Sequence, residues 1–458
     1  MKLKVSAKLD PKFQPMSLVI REMREATKEN GQDIIIAVER NHGYILTYKT
    51  RIFPDGTGHD EENFNFIERV AKSLLWVSGG YKITIAGNEK IGNRIKEAYT
   101  YDGLRAFDVG FMERVYERPF EVEVCSLEDA PETKNATESV GRHLDGCRIG
   151  FDAGGSDRKV SAVIDGESVY SEEVVWFPKI NSDPNYHYQG ILDAMKTAAS
   201  KMPRVDAIGV SSAGVYIDNR AMVASLFLKV SDEDYDKRVK NIYLDVAKEI
   251  GENIPVEVAN DGDVTALAGA MDLNDNAVLG IAMGTSEAGG YVDPQGNITG
   301  WINELAFVPV DYNTDAMVDE WSGDYGCGVK YFSQDGVIKL APFAGITLDE
   351  NLSPAEKLKV VQGLMEKGDQ NAADIYDTIG AYFGYAIAYY SEFYDIKHVL
   401  IMGRVTSGQG GQILLSRAQE VLDKEFPELA EKIKLHIPDE KSRRVGQSVA
   451  AASLPRIK

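Results

Sequence analysis

Apolar and polar positions along the chain fall into short apolar runs separated by longer stretches with helical spacing. Residues 33–48 alternate as two strands around Asn41-His42-Gly43, and Phe64 to Trp76 repeats its apolar positions at helical intervals. A strand over 81–85 leads through Gly87 to a charged helix ending near Tyr99, which together predict a small α/β domain. The polar stretch 126–138, with one proline and few large apolar residues, reads as a linker. Beyond it, strands over 147–152, 159–164 and 168–177 form a meander. They are followed by a helix over 190–201, a buried strand over 205–211, a helix over 232–250 and a strand over 256–259. A helix over 264–271, a strand over 277–283 and a β-rich stretch to about Val310 come next. Helices over 354–367 and 372–393, a strand over 399–402 and an amphipathic helix from about Gly411 complete the pattern. Alternating strands and helices imply mostly parallel sheets covered on both faces.

Length and composition narrow the class. At about 150 residues per domain, 458 residues suggest roughly three units, and 44% hydrophobic with 26% charged residues describes a chain that buries a sizeable core. No apolar run approaches the ~20 residues of a membrane span, and the first ten residues lack the apolar region of a secretory signal, so a cytoplasmic protein without membrane contact is expected. Cys125, Cys147 and Cys327 are far apart with no CxxC spacing, which argues against a disulfide framework or a four-cysteine zinc site. The net charge of −21 repels nucleic acid and anionic lipid. Residues 1–140 hold 20 basic and 23 acidic residues, so no basic arm is hidden at the front and no nucleic-acid partner is expected.

Three glycine-containing turns at predicted strand ends carry the candidate chemistry. Asp152-Ala153-Gly154-Gly155-Ser156-Asp157-Arg158 lies between two strands. Its glycines let backbone amides approach an anion, and the carboxylate can hold a hydrated Mg²⁺; taken alone, it reads first as a hairpin turn whose glycines supply positive φ. Met283-Gly284-Thr285-Ser286-Glu287 follows a buried strand and offers a second phosphate turn. Met402-Gly403-Arg404-Val405-Thr406-Ser407-Gly408 follows another strand and opens a helix. Between them the apolar strand 256–259 ends in Asn260-Asp261 before a small-residue helix. A carboxylate there can take the proton of a substrate hydroxyl, or simply cap the helix.

In this order the motifs resemble the ROK family of sugar kinases and sugar-responsive repressors, within the actin-like ATPase superfamily, over about residues 146–458. The resemblance implies an α/β, ribonuclease H-like two-lobed fold, with a small lobe over 146–262 and a large lobe over 263–458. Its C-terminal helix would return to the small lobe, and the α/β domain over 1–140 would be an addition of unknown role. It further implies that Gly154, Gly155 and Ser156 form the first phosphate loop, and Gly284 and Thr285 the second. Gly403 and Ser407 would contact the nucleoside, and Asp152 would position Mg²⁺ through water. Asp261 would be the catalytic base. Asn260, Glu304 and Gly214, the last in the PGxVD-like segment Ser211 to Asp218, would bind the sugar.

The departures carry expectations of their own. The family's Glu-x-Gly-His reads Glu304-Leu305-Ala306-Phe307, and its cysteine-rich loop keeps only Cys327, so no zinc is expected and packing by Phe307 and Tyr331 would replace it. Glu287, beside the second phosphate turn, would repel a triphosphate by about 1 kcal/mol if solvated, unless Mg²⁺ or Arg158 intervenes. His187 reads as a surface loop residue. The aromatic stripe Tyr382 to Tyr394 reads as core or the face of a homodimer. The expected activity is ATP- and Mg²⁺-dependent phosphoryl transfer to a hydroxyl of a sugar or sugar derivative. The alternative is a catalytically silent sugar or nucleotide sensor that signals through residues 1–140.

Overall fold

A computed structural model describes residues 2–136, 139–438 and 440–457, with strands in three main sheets and one short ribbon. In the first sheet β1 (Gln32–Arg40), β2 (Tyr44–Ile52), β3 (Lys82–Ala86) and β4 (Glu121–Cys125) lie in the order β2-β1-β3-β4. Ile34, Ile36 and Val38, two apart along β1, are fully buried, as strand alternation requires. The helix Asp60–Ser78 opens with Asp60, Glu61 and Glu62, whose charges favour a helix N-terminus. It lies between this sheet and the turn Leu305–Phe307, which is why nearly all of its later residues are buried.

The second sheet is built from β5 (Cys147–Ala153), β6 (Asp157–Ile164), β7 (Glu167–Val175) and β8 (Ala207–Ser212). The ribbon β9 (Val215–Ile217) and β10 (Arg220–Val223) follows, and then β11 (Val256–Asn260) completes the sheet. Its order is β11-β8-β5-β6-β7: an antiparallel meander from β5 to β7, with β8 and β11 added in parallel on the other side of β5. The third sheet repeats this plan. β12 (Val278–Met283) pairs antiparallel with β13 (Glu287–Val292), while β14 (His398–Met402) and β15 (Lys434–His436) follow in parallel, in the order β13-β12-β14-β15. A lone bridge, Val292 to Ile298, extends the antiparallel side. These two sheets are the cores of two α/β lobes.

Two connections tie the parts together. The helix Glu440–Ala452 crosses β5 and β8, where side chains at Gly150 and Gly209 would collide with the backbone oxygens of Ser448 and Ala451 at 1.9 and 1.7 Å. The first residues of the chain lie on the third-sheet lobe. Met16–Ala26 packs against the helix Gln370–Tyr390, Tyr382 donates to Asp10 at 2.6 Å, and Tyr385 donates to the Val5 carbonyl at 3.1 Å. The aromatic stripe therefore packs in the core, with Tyr382, Phe383, Tyr385, Tyr389 and Tyr390 fully buried. The helix expected over 232–250 is interrupted by a π-turn at Tyr235–Val239 and resumes at Ile242–Ile250. Of the stretch expected as a linker, Lys134 bridges to Ile45 of β2, while Thr137 and Glu138 lie outside the described residues. Among the described residues no helix is long and apolar enough to cross a membrane.

Candidate functional site

Strand register brings the first group of residues together. β8 pairs with β5 so that Ser211 stands opposite Asp152, and with β11 so that Ser212 stands opposite Asn260. The ends of three neighbouring strands thus present Asp152, Ser211 and Asn260 side by side. Ser211 donates its hydroxyl to Asp152 at 2.9 Å, and the Lys159 ammonium lies 3.9 Å away. Burial pushes the Asp152 carboxyl up to about 6; Ser211 and Lys159 oppose the shift, and the nearby Asp261 carboxylate adds to it. After β5, the Gly154–Ser156 turn is clamped by Trp176, whose indole donates to Gly154 O at 2.8 Å and whose amide donates to Ser156 O at 3.1 Å. Neither Gly154 nor Gly155 adopts positive φ. Both are required by close approach instead: a Cβ on Gly154 would lie 2.6 Å from Asp157 O, and one on Gly155 2.8 Å from Lys179 Cε.

Asp261 is the first residue of the helix Asp261–Leu273, and Asn260 is its N-cap. Asn260 accepts from Gly262 N and donates to Gly214 O, both at 2.7 Å, so one side chain fixes both the helix start and the Gly214 loop. Burial raises the pKa of Asp261, partly offset by backbone N–H bonds and by the charge of Lys179. The helix start sits close against β13, because a Cβ on Gly290 would lie 2.1 Å from Gly262 C. Gly289 in turn admits the 303–305 segment, where a Cβ would meet Asn303 O at 2.7 Å. These contacts place Asp261, Asp263 and Glu304 in one cluster of carboxyls. Asp263 accepts from Tyr291 N and Asn303 Nδ2, and burial among like charges pushes it up to about 7. Glu304 is pushed up to about 7 by burial and by Asp261.

Glu287 does not face a phosphate site. It is buried in the core, accepts from the Tyr390 hydroxyl at 3.2 Å and abuts Gly328, where a Cβ would come within 2.2 Å of its Oε2. Burial pushes this carboxyl up to about 8, so near neutral pH it is largely uncharged, and the expected repulsion of a triphosphate is removed. His187 is likewise not a surface loop residue. It is fully buried in the helix Pro184–Ala199, with Nε2 2.9 Å from Pro178 O.

The second group lies at the ends of β12 and β14. Gly284 donates its amide to Ser286 O at 3.0 Å, and its own carbonyl accepts from Gln334 N. Gly403, at φ 96°, rests on Met283, whose carbonyl would be 2.3 Å from a Cβ there. Arg404 reaches Thr285 Oγ1 at 3.2 Å, which joins the two turns, and Ser407 is exposed just before the helix Gln409–Glu425. The helix Asp261–Leu273, packed on β12 and β13, connects this group to the first.

Around Phe307 and Cys327, where the resembled family has its zinc motif, the front of the chain is docked. Phe307 lies against Trp76, Phe107 and Phe111, with the Trp76 ring centroid 4.3 Å away. Tyr331 packs in the core beside Phe13 and Tyr382. Asp324 accepts both guanidinium nitrogens of Arg69 at 2.8 and 2.9 Å, and has Lys72 at 2.7 Å and Arg105 at 3.0 Å. The end of the helix Asp60–Ser78 then holds the Glu304 segment directly, since Trp76 O accepts from Glu304 N and Val77 O from Asn303 N, both at 3.0 Å. Burial pushes the Cys327 thiol up to about 12, and among the described residues no group of three His, Cys, Asp or Glu side chains is placed to hold a metal. Asp152, a single buried carboxylate at a strand end, suits a Mg²⁺ ion held chiefly by phosphates and water. Sequence patterning did not single out Asp324, its three cations or Lys179. Their partners are distant in the chain, and the Trp176-Phe177-Pro178 turn after β7 was the one local signal for Lys179.

No protein-family model and no curated protein matches the sequence. Solved structures do match. The ROK hexokinase from Thermus thermophilus superposes with a TM-score of 0.51 at 18% identity, covering 66% of this chain and 97% of the hexokinase. A ROK family transcriptional regulator, a homolog of the E. coli MLC protein, has a TM-score of 0.49 at 19% identity, covering 68% and 79%. A ROK family glucokinase from Streptomyces griseus, solved with glucose and AMPPNP, has a TM-score of 0.44 at 20% identity, covering 66% and 98%. At these identities the likeness is one of fold: the chain has the two-lobed actin-like architecture of the Thermus hexokinase.

Proposed function

We propose that this protein is a ROK-type sugar kinase, transferring the γ-phosphoryl group of ATP to a hydroxyl of a sugar or sugar derivative. The observation that supports this reading most directly is the pair of carboxyls with separate tasks at the ends of β5 and β11, the two strands that flank β8. Asp152 accepts from Ser211 beside the phosphate hairpin, and Asp261 begins a helix toward the Glu304 wall. Asp261 takes the proton of the attacking hydroxyl, and its raised pKa brings its basicity nearer to working pH. Glu304 lines the acceptor side, where a carboxyl titrating at about 7 can donate to or accept from sugar hydroxyls. Asn260 locks Asp261 and the Gly214 loop in one geometry. Gly154, Gly155, Ser156, Gly284 and Thr285 offer backbone and hydroxyl groups to phosphates, while Gly403 and Ser407 flank the nucleoside. Mg²⁺ bound at Asp152 would neutralise phosphate charge. Most of the rate then comes from positioning and electrostatics in a closed cleft.

In this reading residues 1–140 brace the acceptor wall. Trp76, Val77 and the Arg69–Lys72–Arg105 cluster hold the segment 303–327, in place of a metal. Coupled ATP consumption over a panel of hexoses, amino sugars and polyols tests the proposal. Sugar-dependent turnover that vanishes in Asp261→Asn supports the kinase. Ligand-induced stabilisation without turnover in the wild-type protein supports a sensor and contradicts it.

A further inference from the structure

The loop that follows β7 carries a cation to the phosphate hairpin. Trp176 fastens the loop to Gly154 O and Ser156 O, and Phe177 N donates to the Tyr186 hydroxyl at 2.9 Å. Buried His187 holds the next carbonyl, that of Pro178, at 2.9 Å. The exposed Lys179 side chain comes next and reaches over the hairpin: a Cβ on Gly155 would lie 2.8 Å from its Cε and 3.0 Å from its Nζ. Gly155 thus leaves the space that the lysine crosses. The ammonium is also close enough to Asp261 for its charge to act on that carboxyl. The neighbouring cations are engaged: Lys159 lies 3.1 Å from Asp157, and Arg158 donates to Gly190 O. Lys179 has no ion-pair or hydrogen-bond partner among the described residues, in a chain of net charge −21.

We propose that Lys179 is a catalytic phosphate-binding residue that contacts the terminal phosphoryl group of a nucleoside triphosphate between the Gly154–Ser156 hairpin and Asp261. The inference rests on the kinase reading and adds to it the group that follows the moving phosphoryl. The bond from the γ-phosphorus to the β-phosphate oxygen breaks and a bond to the acceptor oxygen forms. The hydroxyl proton passes to the Asp261 carboxylate, and the nucleoside diphosphate leaves. Throughout, the ammonium neutralises charge on the oxygens of the transferred group. A lysine suits this task because it is a compact charge on a flexible stem.

The test uses full-length wild-type protein, Lys179→Met and Lys179→Arg, with calorimetric titration of MgAMPPNP and MgADP beside the sugar-panel assay. Lys179 is exposed, so both variants should unfold at the wild-type temperature. Wild-type protein is expected to favour MgAMPPNP over MgADP. Lys179→Met should lose that preference with MgADP affinity unchanged, and its kcat should fall by about 10²–10³, with Lys179→Arg recovering at least part of the loss. An unchanged MgAMPPNP to MgADP ratio in Lys179→Met overturns the assignment. So does a kcat within about threefold of wild type, while the kinase reading stands. Wild-type protein that turns over no sugar overturns the kinase reading, and the two nucleotide affinities still decide the role of Lys179.

Discussion

Replacing Asp324 by Asn removes the central carboxylate of the contact between the front of the chain and the segment around Cys327. The cluster holds three cations, Arg69, Lys72 and Arg105, and three carboxyls, Glu68, Asp108 and Asp324; every one of these side chains is at most 4% exposed. An amide at position 324 keeps the shape but leaves one positive charge uncompensated out of water, which costs about 3–5 kcal/mol. That is a large share of a typical folding free energy of roughly 5–15 kcal/mol. By contrast, the exposed contacts of Glu117 with Arg220 and Lys240 should each be worth less than about 1 kcal/mol. Urea unfolding followed by tryptophan fluorescence, to which Trp76 packed on Phe307 at this interface contributes, reads the difference. The Asp324→Asn transition should move to markedly lower denaturant, with Glu117→Gln close to wild type. Because Trp76 O and Val77 O hold Glu304 and Asn303, the KM for sugar should rise as well. Burial alone would raise the Asp324 carboxyl, but the three cations hold it well below the usual carboxylate range. Its stabilisation is therefore present above an unfolded pKa of about 3.9 and is lost as pH falls below that value. An Asp324→Asn protein within 1 kcal/mol of wild type at pH 7 would refute the bracing role of the cluster.

Glu287 gives a pH effect of the opposite sign. Its folded pKa is raised to about 8, so its favourable contribution is complete at acid pH and is lost as pH rises from about 4.5 toward 8, at roughly 1.4 kcal/mol per pH unit. Glu287→Gln should match wild type at pH 4.5 and be more stable at pH 8.5 in denaturant titrations; parallel stability profiles would contradict its burial as a neutral acid. Gly290→Ala places a methyl 2.1 Å from Gly262 C, with backbone on both sides, and should cost at least about 1–3 kcal/mol and shift the helix that begins with Asp261. Gly110→Ala, in a helix with open space around it, should instead raise the melting temperature slightly.

The strands and their terminal turns were legible because each local signal agreed with its surroundings. The apolar run 147–152, the glycines after it and the serine of β8 all demand one register. Expectation failed where a partner was remote or a face was ambiguous. Met16–Ala26 is paired with a helix more than three hundred residues later. The helix Ala106–Tyr116 lies between Trp76 of the helix Asp60–Ser78 and the β9–β10 ribbon, so no single apolar stripe marks it. Glu287 looked like a phosphate neighbour because it follows Thr285 and Ser286. It opens β13, however, and pairs with Met283, which turns its side chain into the core. Phe307 was visible as a departure from the resembled motif, but the ionic cluster nearby was not legible, because Arg69, Lys72 and Arg105 sit more than two hundred residues before Asp324.

Transfer of label from ATP radiolabelled in the γ-phosphoryl group tests the kinase account most directly. Wild-type protein with Mg²⁺ should place the label on at least one sugar of the panel, and Asp261→Asn should reduce that transfer by about 10²–10⁴ while still binding MgAMPPNP. Label that stays on nucleotide or appears only as inorganic phosphate, or transfer that is undiminished in Asp261→Asn, would contradict it.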